Sequence, residues 1–109
     1  MAALNVFKTV RHVITTTNET IYTAPAGYTG IVLMAQITNV SNTAATVTFS
    51  TFDGVTEIEL LKDFQVPAKD AVAGTTGKLI IETGKTIRIQ AGANSQLKIT
   101  LSILESANE

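Results

Sequence analysis

The clearest pattern in the chain is a strict alternation near its end. Leu97, Ile99, Leu101 and Ile103 are separated by Lys98, Thr100 and Ser102, the period of two that places one face of a β-strand in a core and the other in water. The same alternation recurs upstream. Val47 and Phe49 alternate with Thr46, Thr48 and Ser50, and Ile58 and Leu60 alternate with Glu57 and Glu59. Residues 28–40 form the longest strand candidate, with Ile31, Leu33, Ala35 and Ile37 on one face. Val32 and Met34 begin the other face, which turns polar at Gln36 and Thr38. A strand apolar on both faces at one end sits centrally in a sheet and is partly covered on its back.

Turn chemistry separates these runs. Ala24-Pro25-Ala26-Gly27 closes a short strand at Thr20–Thr23, and Asn39 to Thr43 reverses the chain into 45–52. Asp53-Gly54 is the strongest hairpin signal and leads into 56–64, where the doublet Leu60-Leu61 breaks the phase as a β-bulge would. Residues 66–77 contain Pro67, Gly74 and Gly77 and read as an irregular crossover to the other sheet or to a partner. A second hairpin turns at Thr83-Gly84-Lys85, and Ala91 to Ser95 forms the last turn. Turn signals every ~8–12 residues are the mark of a β-sandwich or small barrel. The expectation is one all-β domain over residues 1–109, an antiparallel β-sandwich, jelly-roll or Ig-like, of about seven or eight strands. Its expected core is Leu33, Ile37, Val47, Phe49, Ile58, Leu60, Leu79, Ile81, Ile87, Ile89, Leu97, Ile99, Leu101 and Ile103.

Composition agrees. Thr, Val and Ile make up about a third of the 109 residues, and β-branched side chains suit a pleated, half-buried surface. Hydrophobic content of 45% against 16% charged residues is high for a chain this small and points to apolar surface covered by a partner. Net charge is −1, and Arg11-His12 is the only adjacent basic pair, so no nucleic acid is expected. No stretch approaches the roughly 18 apolar residues of a membrane span, and Lys8, Arg11 and His12 interrupt any signal-peptide core, which predicts synthesis in a cytoplasm and no membrane partner.

Candidate chemistry is sparse. With no cysteine and one histidine, thiolate catalysis and Cys-type zinc sites are excluded, and no spacing suggests a metal or any cofactor. His12 reads as a strand-surface residue, and Glu57 and Glu59 as a solvated sheet face rather than a catalytic pair. The six Tyr and Phe side chains, unaccompanied by Trp, suit a core or an interface better than a glycan platform. The chain is expected not to be an enzyme.

The run from Ile21 to Leu33, with its Pro25-Ala26-Gly27 turn, resembles the opening hairpin of small structural proteins from tailed bacteriophages. The resemblance continues through Ile37–Ser41, Ala44–Thr48, Val66-Pro67-Ala68, Gly77–Ala91 and the closing strand 97–105. It implies a virion component made in the host cytoplasm and located on the virion, most simply a capsid decoration or cement protein. A tail- or fibre-associated protein and a carbohydrate-binding module stand as alternatives. Other virion proteins and further copies of the chain are the implied partners, and no catalytic residue is carried over. Residues 1–12 precede the resemblance, and two readings of them stay open: an arm adding a strand to a neighbour, or an ordinary first strand. Leu4, Val6, Phe7 and Val10, with Pro67 and Ala68 on the crossover, are the candidate contact residues.

Overall fold

A computed structural model describes residues 4–108 as two antiparallel sheets packed face to face, with no helix among them. The strands are β1 (Asn5–Val13), β2 (Glu19–Thr23), β3 (Tyr28–Asn39), β4 (Ala45–Phe52), β5 (Glu57–Val66), β6 (Ala71–Ala73), β7 (Leu79–Ile81), β8 (Thr86–Ala91) and β9 (Leu97–Ala107). One sheet runs β1-β9-β3-β6, with β7 also on β3; the other runs β2-β8-β4-β5. β6 pairs with Gln36–Thr38 and β7 with Gly30–Val32, so the two short strands lie end to end along one edge of β3. The crossover at 66–77 thus passes between sheets as expected, but it contains a strand that Gly and Pro had concealed.

The expected alternation of β9 holds: Leu97, Ile99, Leu101 and Ile103 are buried, as are Ile37, Val47, Phe49, Ile81, Ile87 and Ile89. The doublet at Leu60-Leu61 is a bulge, because Phe49 opposes Leu61 and Ser50 opposes Glu59, with Leu60 skipped. Four expected core positions differ. A second bulge in β3, between Val32 and Met34, shifts the phase of the strand. Val32, Ala35 and Ile37 therefore point inward and Leu33 is exposed. In β5 the bulge turns Leu61 toward the core and leaves Leu60 exposed. Ile58 opposes Thr51 near the hairpin tip of this edge strand and remains 57% exposed. Leu79 is half-buried on short β7. Single-residue bulges invert every later side chain, which is why one strand holds both correct and inverted positions.

Polar groups tie the sheets together. Tyr22 of β2 reaches across the core and donates its hydroxyl to Glu105 Oε2 at 2.7 Å. Glu105 is itself buried and ion-paired to Lys8 Nζ at 3.2 Å. Burial and the neighbouring carboxylate push the Tyr22 phenol well above its ordinary value. Gly30 lies beneath this ring, and a Cβ there would meet the Tyr22 hydroxyl at 2.6 Å. At the open side of the sandwich His12 Nε2 lies 2.9 Å from Glu19 Oε1, which also accepts from the Thr15 hydroxyl. His12 is thus a half-buried link between β1 and β2 rather than a surface residue.

On the outer face of the second sheet Glu57 accepts from Ser50, Asn18 and Arg88, while the Arg88 guanidinium stacks on Phe52 at 3.7 Å. Burial pushes the Glu57 carboxyl up, but the Ser50, Asn18 and Arg88 bonds outweigh it and hold the group below its ordinary value. Hydrogen bonds from His12 and Thr15 lower Glu19 in the same direction.

Leu101→Ala, which empties a fully buried position on the central strand, should cost about 2–5 kcal/mol in denaturant unfolding through lost transfer energy plus a cavity. Gly30→Ala should cost about 1–3 kcal/mol by forcing Tyr22 aside, and combined with Tyr22→Ala the two costs should be less than additive. Because Glu19 and Glu57 titrate lower in the folded chain, the stability they contribute is complete above their ordinary value of 4.5 and is lost as pH falls through the folded values. The melting temperature should therefore drop on acidification below about pH 4.5, and less steeply in Glu57→Gln.

Candidate functional site

Two apolar faces are needed to make the core, yet the β1-β9-β3 sheet carries apolar side chains on its solvent face as well. Phe7 opposes Leu104, Leu104 opposes Ile31, and Ile31 opposes Ile80. Directly opposed residues share a face, so these four form a row across β1, β9, β3 and β7, spanning about 15 Å at the usual strand spacing. Phe7 is 76% exposed and Ile80 64%. Leu33 and Met34 of the β3 bulge, each 39% exposed, extend the row along β3. At the far end of this face Arg11, Val13 and Lys98, with His12 at the edge, line a shallow depression. The face is therefore apolar at one end and basic at the other.

Behind Ile80, the β4–β5 hairpin and β7 enclose a groove of about 160 Å³ lined in part by Ile58, Leu79 and Ile81. This is where Ile58 is exposed. The outer face of the second sheet differs in kind. Its Glu57, Arg88, Ser50 and Thr86 are hydrogen-bonded to one another or to the backbone, and its aromatic residue, Phe52, is covered by Arg88.

The proposed contact residues do not form one cluster. Phe7 lies in the apolar row, and exposed Leu4 precedes it, its carbonyl accepting from Ala107 at 2.7 Å. Val6 and Val10 are half-buried on the core side of β1, and Val10 packs against the core. Residues 5–13 pair along their whole length with β9 of the same chain, while residues 1–3 lie outside those described. Pro67 and Ala68 are exposed in a turn closed by Asp70 N on Pro67 O, beside Asn39. That turn is at the opposite end of β3 from Ile31, about 26 Å away along the strand. The hairpin tips at Gly27, Gly54 and Gly84 gather at the Ile31 end, where Gly84 N bonds Ala24 O and Thr86 opposes Phe52.

The row was missed by the sequence reading, although a signal existed. Ile31-Val32, Leu33-Met34, Ile80-Ile81 and Ile103-Leu104 are apolar doublets, and in a strand one member of each must face away from the core. Away from this face His12 meets the Glu19 carboxylate, and Thr15 donates to that same carboxylate rather than to the imidazole. Among the described residues no three His, Asp or Glu side chains gather as a metal would require.

No family model matches the sequence, and no curated protein does. Solved structures do match the fold. A chain of the acidic stable capsid structure of Helicobacter pylori bacteriophage KHP30 is 10% identical, with a TM-score of 0.56 over 100% of this chain and 92% of that one. A chain from the Bacillus endospore appendages, a novel family of disulfide-linked pili, is 12% identical, with a TM-score of 0.57 over 96% and 88%. A pentameric capsid protein from metagenomic phage sequences is 19% identical, with a TM-score of 0.47 over 90% and 60%. For the first two of these the likeness is one of fold, and it extends over 96–100% of this chain.

Proposed function

We propose that this chain is a structural protein of a phage virion, a decoration or cement protein that binds the capsid by protein–protein contact and performs no catalysis. The observation that carries this reading is the uncovered apolar row Phe7–Leu104–Ile31–Ile80 on a sheet whose other face already fills the core. Apolar rows of this kind on small domains mark interaction surfaces. Covering an exposed Phe or Ile contributes about 1.5–3 kcal/mol each, and a cement protein needs no more chemistry than that. By adding contact area across neighbouring shell subunits it raises the energy needed to separate them.

Two further observations support it. The chain alternates between sheets so that β1-β9-β3-β6 faces β2-β8-β4-β5, a two-sheet arrangement that supports reading the fold as a jelly roll, an architecture viral capsid proteins use. The fold likeness to a chain of the KHP30 capsid structure covers the entire domain. The disulfide linkage named for the endospore pili has no counterpart here, because the chain contains no cysteine.

The test is mass spectrometry of heads and tails separated from particles of the phage that encodes the chain. Recovery with heads, in numbers comparable to the major shell protein, is the expected result. Recovery with tails alone would favour a tail-associated role, and absence from both would overturn the virion reading. In the same particles Phe7→Ser with Ile80→Ser should reduce head occupancy at least tenfold while the isolated protein still melts cooperatively.

A further inference from the structure

The sheets end in edges of very different character. β2 is five residues long and its register breaks between Thr20 and Tyr22. β5 is long, but it is interrupted at Leu60 and again near Asp63, which has a positive φ, and it carries Glu57, Glu59, Lys62 and Asp63. The outer edge of β3 is occupied by β6 and β7. β1 lacks the bulges and short length of the others, although it carries Lys8, Arg11 and His12. It runs nine residues in unbroken register with β9, from Asn5 opposite Ser106 to Val13 opposite Lys98, with no Pro, Gly or bulge. Of its charges, Lys8 is held on the core side by Glu105, which leaves Arg11. Bulges, charges and short length are how proteins blunt sheet edges, and a long regular edge is a template for strand addition.

We infer that β1 pairs with β1 of a second copy, antiparallel about a two-fold axis through Thr9, so that two sheets become one. The sequence of β1 is self-complementary in that register. On the outer face Phe7 opposes Arg11 of the other copy, Thr9 opposes Thr9 and Asn5 opposes Val13; on the core side Val6 opposes His12 and Lys8 opposes Val10. All nine residues pair, no like charges meet, and the Phe7–Arg11 pairs, one on each side of the axis, suit a cation–π contact. Moving the axis to Lys8 sets two lysines against each other, and moving it to Val10 sets Lys8 against His12; either shift also leaves residues of β1 unpaired. In the joined sheet the apolar rows of both copies lie on the same outer side, doubling the surface offered to a third partner. The inference is independent of the virion reading: a virion protein can be a monomer, and a dimer can serve elsewhere.

Thr9 is exposed, so changing it leaves the domain intact. The full-length protein should sediment as a dimer at high concentration, and Thr9→Lys should weaken the dimer at least tenfold without lowering the melting temperature of the dilute protein. Opposed residues of an antiparallel pair have Cα atoms about 4.5–5.5 Å apart, within disulfide range. Because the chain has no cysteine, Thr9→Cys would carry a single thiol and should cross-link to a covalent dimer under mild oxidation. Thr20→Cys, on exposed β2, should not. A monomer at every concentration would overturn the inference, and so would a dimer indifferent to Thr9→Lys that Thr9→Cys fails to trap.

Discussion

The structure depends on a strand that arrives last. β9 lies between β1 and β3, so neither the first strand nor the longest has its full set of backbone partners until the C-terminal segment is in place. Its inward residues, Leu97, Ile99, Leu101 and Ile103, are all buried and meet Phe49, Ile87 and Ile89 from the other sheet. Pairing partners 58 to 101 residues apart are costly to bring together before any contact rewards them. Central placement offsets that cost, because one strand satisfies two neighbours and fills the middle of the core at once.

Around this strand the chain adjusts its phase with bulges rather than with side-chain compromise. The break in β3 lets Gly30 and Val32 face inward on one side of it and Ala35, Ile37 and Asn39 on the other. That adjustment leaves Leu33 and Met34 on the solvent side and brings Gly30 under the Tyr22 ring. The outward position of Ile31 in the apolar row and the inward position of Gly30 beneath Tyr22 are thus two consequences of one added residue. Asn39 closes the far end of the core, donating its amide to the carbonyls of Thr43 and Val66, so the buried polar side chains at both ends are bonded.

The two outer faces differ in how far their side chains are already engaged within the domain. On the β2-β8-β4-β5 sheet, the Glu57–Arg88–Phe52 cluster uses its polar and aromatic groups internally, and the edge strand β5 is bulged and charged. On the β1-β9-β3 sheet, the apolar row is open and the edge strand β1 is regular. A surface that keeps both its apolar side chains and its free edge unprotected on the same sheet is suited to assembly.

Period-two alternation, turn residues and β-branched content determined from the sequence alone that the domain is all-β, where its hairpins turn, and which residues of β4, β8 and β9 line the core. The bulge at Leu60-Leu61 was legible because a doublet interrupts the alternation; its effect on which leucine is buried was not. Tertiary structure decided what depends on partners distant in sequence. The β3 bulge is invisible in a segment apolar on both faces, and β6 is too short for any pattern to declare it. The exposure of Ile58 follows from its strand being an edge. The residues of Phe7–Leu104–Ile31–Ile80 are scattered over 97 positions and become neighbours through register alone. Local sequence specifies which way a side chain alternates, whereas the order of strands in a sheet specifies what lies opposite it.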